Sequence, residues 1–174
     1  MTNTKKPLRK PGPDRGPANL VSEVAKSFIH HLAPSFRPPA RLVTPTEEAE
    51  LAVIDAVVLE AADRGIPTEI VDLRPAPAEL LHQVTERLKE FRQGQDAGDE
   101  MPTLLILRGF DVFGDEAHNG PTYPFRAKFQ FDRSHLWLFL GRDASRMRWL
   151  FGSYARPLYE STVDITPKPW RIPS

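Results

Sequence analysis

The chain has 174 residues, with 23 Lys+Arg against 23 Asp+Glu, 18 prolines and no cysteine. That length predicts one domain of roughly 100–200 residues with room for a tail, and a core that needs no staple. The absence of cysteine excludes a disulfide scaffold, a thiolate nucleophile and a cysteine-ligated zinc or iron–sulfur centre, and no apolar run approaches the ~18 residues of a membrane span.

The zero net charge is a sum of unlike parts. Residues 1–45 carry +6 and residues 46–100 carry −9; residues 101–125 carry −2 and residues 126–174 carry +5. Such asymmetry either marks a surface for an acidic partner or cancels between faces of one fold. Residues 1–17, with Pro7, Pro11, Pro13 and Pro17 among Lys5, Lys6, Arg9, Lys10 and Arg15, predict a disordered basic tail. The first ten residues lack the apolar core of a secretory signal, and a cytoplasmic protein with no membrane contact is expected. Residues 18–39 hold an amphipathic helix and a linker. Leu20, Val21, Val24, Phe28, Ile29 and Leu32 share one face of a 3.6-residue period over 19–33, and Pro34 ends it. That face packs either on its own domain or on a partner.

Residues 40–174 form the predicted domain. Arg41–Val43 is a short strand. Thr44-Pro45-Thr46-Glu47 has the pattern of a capping box with proline at the first helical position. The helix it opens runs to Arg64, with Gly65 as its stop and Leu51, Ile54, Val58 and Ala61 as its apolar face, Val57 alongside. Thr68–Leu73 is a strand. Pro77 opens a helix whose face is Leu80, Leu81, Val84, Leu88 and Phe91, closed by Gly94. Thr103–Leu107 and Leu136–Leu140 are continuous apolar runs, as strands buried on both faces are. Between them, residues 109–133 form a Gly- and Pro-rich insert with room for one short helix or hairpin. Asp143 caps a helix to about Tyr154, and Thr162–Ile165 is a last strand. Alternating strands and helices predict an α/β fold: a five-stranded, mostly parallel sheet with helices on both faces, a Rossmann-like or P-loop-like three-layer sandwich.

This order of elements resembles the core of the P-loop NTPases, in particular the AAA+ type. Leu104-Leu105-Ile106-Leu107 stands where a Walker B strand stands, Leu136–Leu140 matches the sensor strand, and Arg156-Pro157-Leu158 is similar to the arginine-containing end of such cores. The catalytic signatures are missing. A Walker A loop needs glycine-rich backbone amides and a lysine around the phosphates, whereas the residues between the first strand and its helix are Thr44-Pro45-Thr46-Glu47-Glu48-Ala49-Glu50. Pro45 removes a donor and three glutamates repel a triphosphate. A Walker B strand ends in acidic residues that hold Mg²⁺; this one ends in Arg108-Gly109. The resemblance therefore implies a degenerate core without ATP hydrolysis, and no cofactor is expected.

Two clusters remain as candidate sites. The insert, at a strand's carboxyl end where α/β proteins keep their ligands, holds Arg108, Asp111, Asp115, Glu116 and His118. Asp115-Glu116-Ala117-His118 spells a DEAH box seven residues beyond its place in a helicase, so it reads as coincidence. Carboxylates with an imidazole suit a divalent cation, but no spacing here matches a known metal loop. Long inserts are disproportionately functional. The second cluster is Arg142, Arg146, Arg148, Trp149 and Arg156, with Tyr154. Arginine with aromatics serves single-stranded nucleic acid or a protein interface; alternatively Trp149 is core and the arginines pair with the acidic helices at 46–91. His30-His31 cannot chelate one metal from one helix face. With no other catalytic constellation, the expected function is a non-catalytic interaction or regulatory module that docks on or inhibits a larger protein machine. The alternatives are nucleic-acid binding through the basic arm and residues 142–156, and a metal-dependent nucleotide-binding enzyme using the 109–120 loop.

Overall fold

The computed structural model describes residues 17–30, 38–94, 101–156 and 158–171. Residues 1–16 of the predicted basic tail, His31, Leu32, residues 34–37 of the linker and Pro157 lie outside the described residues. Along the chain come α1 (Pro17–His30), β1 (Ala40–Val43), α2 (Glu47–Asp63), β2 (Thr68–Asp72), α3 (Pro77–Gly94), β3 (Thr103–Arg108), α4 (Thr122–Phe129), β4 (His135–Gly141), α5 (Ala144–Gly152) and β5 (Val163–Asp164). Single 3₁₀ turns lie at Phe110–Phe113 and Lys168–Trp170.

The strands form one sheet in the order β2-β3-β4-β1-β5, and every neighbouring pair is parallel. The α/β reading holds, with helices on both faces. Right-handed crossovers decide which face each helix takes. The chain moves one way along the sheet from β1 to β2, and the opposite way from β2 to β3, β3 to β4 and β4 to β5. Hence α2 lies on one face, and α3, α4 and α5 lie on the other.

The cores follow that division. On one face Leu104, Ile106, Leu136, Leu138 and Leu140 meet Val53, Ile54, Val57 and Ala61 of α2. The single crossover helix cannot cover five strands, and α1 completes the layer with Val24, Ala25, Phe28 and Ile29. So α1 packs on its own domain. On the opposite face Leu105, Leu107, Trp137 and Phe139 alternate with the first set, as a two-residue period requires. They meet Leu81, Val84 and Leu88 of α3, Phe125 and Phe129 of α4, and Met147, Leu150 and Phe151 of α5. The predicted side chain of Phe91 lies outside the described residues.

Two expectations are corrected and a third is filled out. α2 begins at Glu47, and its cap is Thr46, whose hydroxyl accepts from the Ala49 amide. Thr44 belongs to the strand end, fully buried, with its amide donating to Gly141 O. Residue 49 being alanine, a single side-chain cap replaces the reciprocal box. The buried face of α2 is Glu50, Val53, Ile54, Val57 and Ala61, and Leu51 is exposed. The leucines and alanines of α2 are spread round the helix, with Leu51 and Leu59 exposed, so its sequence left the rotation ambiguous until α1 and the sheet occupied two sides. The insert holds the one short helix expected of it, α4, and it is packed into the domain: Phe110, Phe113, Phe125 and Phe129 are all buried. Phe110 lies 4.7 Å from Phe139, edge to face, and Phe125 stacks on Phe129 at 5.2 Å. Burying four phenyl rings, at ~1.5–3 kcal/mol each, covers part of the entropy of ordering a Gly- and Pro-rich stretch.

Candidate functional site

Adjacent strands β1 and β4 send their following helices to opposite faces, so the crevice at their carboxyl ends is the topological switch point of the sheet. Open α/β sheets bind ligands there. Here the crevice is filled by the protein's own charges. Glu50, in the first turn of α2, has a fully buried side chain. Arg108, the last residue of β3, donates from Nε to Glu50 Oε1 at 2.6 Å. Arg74 Nη2 stands 3.8 Å from Glu50 Oε1, and Arg142 Nε stands 3.9 Å from Glu50 Oε2. Glu47 completes the cluster, with Arg74 and Arg108 at 3.8 Å and Arg142 at 3.6 Å. Asp72 holds Arg74 in a two-pronged pair, Nε to Oδ1 at 2.8 Å and Nη2 to Oδ2 at 2.6 Å, and reaches Arg108 at 3.6 Å. Three carboxylates and three guanidiniums thus neutralise one another where strands β1, β2, β3 and β4 end. Gly109, at φ +67°, lets the chain turn out of β3 against the Arg74 stem, whose Cδ would lie 3.0 Å from any added Cβ.

The remaining predicted residues are gathered beside this network. Asp111 is a framework residue: its Oδ2 accepts from the amides of Arg142 and Asp143 at 3.2 and 2.9 Å, fixing the turn from β4 into α5. Asp143 caps α5 as predicted, accepting from the amides of Ser145 and Arg146. Asp115 meets His118 Nδ1 at 2.6 Å and Arg146 at 3.4 Å. The His118 hydrogen bond holds the Asp115 carboxyl below its ordinary range. Glu116 accepts from Arg156 Nη2 at 3.1 Å, and the Arg156 guanidinium lies 3.6 Å over the half-buried Trp149 ring. Leu150 beside it is core. Arg148 and Tyr154 are exposed. The two clusters read separately from the sequence are therefore one surface, in which acidic insert residues pair with α5 and post-α5 arginines. Among the described residues, no three His, Asp or Glu side chains are placed to hold a metal ion.

A groove of about 880 Å³ lies at the opposite, amino-terminal end of the sheet, lined by Pro38, Arg126, Arg133, His135, Tyr159 and Thr162 among others. On its wall Asp132 accepts from His135 Nδ1 at 3.1 Å and from Trp137 Nε1 at 3.0 Å. None of the predicted site residues lies there.

The sequence reading missed Glu47, Glu50, Asp72 and Arg74. One signal was present: Glu50 falls in phase with Ile54, Val57 and Ala61, a carboxylate on an apolar stripe that requires a cationic partner. The network has a pH signature. Hydrogen bonds from Arg74 hold the Asp72 carboxyl below its ordinary value, against the opposing effect of burial. A carboxyl depressed in the folded state stabilises above its unfolded pKa of about 3.9, and that contribution is lost as pH falls through the folded value. Asp72→Asn is therefore expected to lower stability at pH 7 and to flatten the loss on acidification toward pH 3. Urea midpoints of both proteins at the two pH values measure this; equal acid slopes refute it.

No protein-family model matches the chain, and no curated protein matches it.

Proposed function

We propose that this protein is a non-catalytic interaction module, a degenerate ATPase-like domain that docks on or inhibits a larger protein machine. The observation carrying this reading is the closed switch point. In the nucleotide-binding cores that the element order resembles, the crevice after the first strand takes the triphosphate. Here it contains Glu47 and Glu50 locked to Arg74, Arg108 and Arg142. A polyphosphate would have to displace two glutamates from three arginines, and the Thr46 hydroxyl already occupies the Ala49 amide at the start of α2. The contact surface is the ledge formed by Arg148, Trp149, Tyr154 and Arg156. Arg156 stacks on Trp149 and Arg148 and Tyr154 are exposed beside them, and arginine and aromatic side chains are the residue types that dominate protein interfaces. Pairing of Arg142, Arg146 and Arg156 with carboxylates lowers their value for a phosphate backbone, which favours a protein partner over a nucleic acid.

Two measurements test this. Calorimetry with Mg-ATP and Mg-ADP is expected to give no heat, and the purified chain no phosphate release. Hydrolysis that disappears in Glu116→Gln, an exposed substitution, would sink the proposal. Affinity capture from the native cell is expected to retain a protein partner after nuclease treatment, and to lose it with Trp149→Ala or Arg148→Glu. Capture abolished by nuclease assigns the surface to nucleic acid instead, and binding should then fall steeply with salt.

A further inference from the structure

The sheet ends on β2, and its outer edge is open. The bonds that bracket the β2–β3 ladder run from Leu104 N to Pro67 O and from Leu73 N to Arg108 O. Backbone groups alternate sides along a strand, so those of Glu69 and Val71 also face β3, and the N–H and C=O of Thr68, Ile70 and Asp72 face outward. Among the described residues no backbone group pairs with them. An edge of five residues with unpaired donors and acceptors is a template for another strand. Ile70, at its midpoint, is 45% exposed although it belongs to a sheet.

We infer that β2 is the dimerisation edge of this protein, and that its occupant is β2 of a second copy, running antiparallel with the two-fold axis at Ile70. The register follows from the residues. With Ile70 opposite Ile70 of the partner subunit, Thr68 faces the partner's Asp72, and Asp72 faces the partner's Thr68. All three outward-facing residues then stand in hydrogen-bonded pairs, in which each residue donates and accepts. The intervening pair sets Glu69 against the partner's Val71. No two carboxylates are opposed. Sliding the partner by two residues toward Asp72 sets isoleucine against aspartate, and sliding by four sets aspartate against aspartate, which is repulsive. The flanking charges do not block approach. Glu69 is neutralised within its own chain by Arg87, and Asp72 by Arg74. The opposite edge, β5, has only two residues and offers no comparable ladder. Pairing at β2 joins two five-stranded sheets into one of ten strands, with the Ile70 side chains in contact across the axis on the α2 face.

Sedimentation velocity of the full chain tests this. The expected result is a species of twice the 19.7 kDa chain mass. In Ile70→Pro the missing N–H is one that points away from β3, so the chain's own ladder keeps its bonds while the dimer loses two and meets a ring at its axis. Ile70→Lys at the same exposed position brings two ammonium groups together on the axis, and serves if the proline variant does not fold. Both are expected to sediment as monomers at concentrations where the native chain is a dimer, with the melting temperature of the native monomer. A native chain that is monomeric overturns the inference. So does a native dimer that survives both substitutions, and so does a monomer whose Ile70 amide resists hydrogen exchange, since part of the chain then covers the edge.

Discussion

Glu50→Ala is expected to cost about 3 kcal/mol of folding stability, the lower end of the range for removing one partner from a buried ion pair. The substitution removes a side chain with no exposed surface whose Oε1 accepts the 2.6 Å bond from Arg108. Arg108 is itself only 14% exposed, so water cannot fully replace the lost carboxylate. The loss is held to the lower end because Glu47 at 3.8 Å and Asp72 at 3.6 Å remain near the same guanidinium. For a chain of this length it corresponds to a fall of roughly 6–12 °C in melting temperature. Chemical denaturation checks the figure, and a double-mutant cycle with Arg108→Met checks the cause. If the buried pair is responsible, the double variant loses much less than the sum of the two singles. Additive losses, or a Glu50→Ala protein within about 0.5 kcal/mol of the native one, the size of an ordinary surface substitution, would show that the crevice is not held shut by these charges.

Gly114→Ala is expected to cost about 1–3 kcal/mol, the usual penalty for forcing volume into a close-packed contact. The reason is spatial rather than conformational, because Gly114 has an ordinary φ of −79°. An added Cβ would lie 2.7 Å from Arg146 Cα and 2.8 Å from Arg146 O. Backbone atoms of α5 cannot rotate away as a side-chain tip does, so α5 and the 3₁₀ turn at Phe110–Phe113 must separate. That movement strains the Asp111 bonds to the Arg142 and Asp143 amides and displaces Arg146 from Asp115. Partner capture should weaken along with the urea midpoint. Gly120→Ala is the control: nothing lies within 4 Å of its added Cβ, and no comparable loss is expected. Equal effects of the two substitutions would refute the packing argument.

Much of the fold was legible because its signals are local. Gly65 marked the end of α2 and indeed sits at φ +70°, a conformation only glycine adopts cheaply. Asp143 marked the start of α5. The apolar runs at Thr103–Leu107 and Leu136–Leu140 became the two central, fully flanked strands β3 and β4. The insert's short helix was expected, but its burial was not legible, because its four buried phenylalanines are spread over 20 residues with no single period; two lie in a 3₁₀ turn and two in α4. Glycine and proline between them mark turns, and turns do not reveal whether the flanking rings point inward.

The candidate site was legible as residue types and not as contacts. Arg142, Arg146 and Arg156 were singled out for their charge, and each proved to be joined to a carboxylate distant in sequence. Arg108 was noted only as a cation where an acid would hold magnesium, and it is the residue that binds Glu50 from 58 positions away.

By itself the sequence determined which segments are strands and which are helices, because the two-residue and 3.6-residue periods are written in neighbouring side chains. It also showed that no glycine-rich, lysine-bearing loop follows the first strand and no acidic pair ends the third. The tertiary structure decided the strand order, and with it which strand ends meet. Placing β1 beside β4 brings Glu47 and Glu50 to Arg142, and β3 beyond β4 supplies Arg108. Glu47 and Glu50 become partners of Arg74, Arg108 and Arg142 only when the crossover carries the start of α2 to the carboxyl ends of the neighbouring strands. Ion pairing acts over a few ångströms of space and has no period along the sequence.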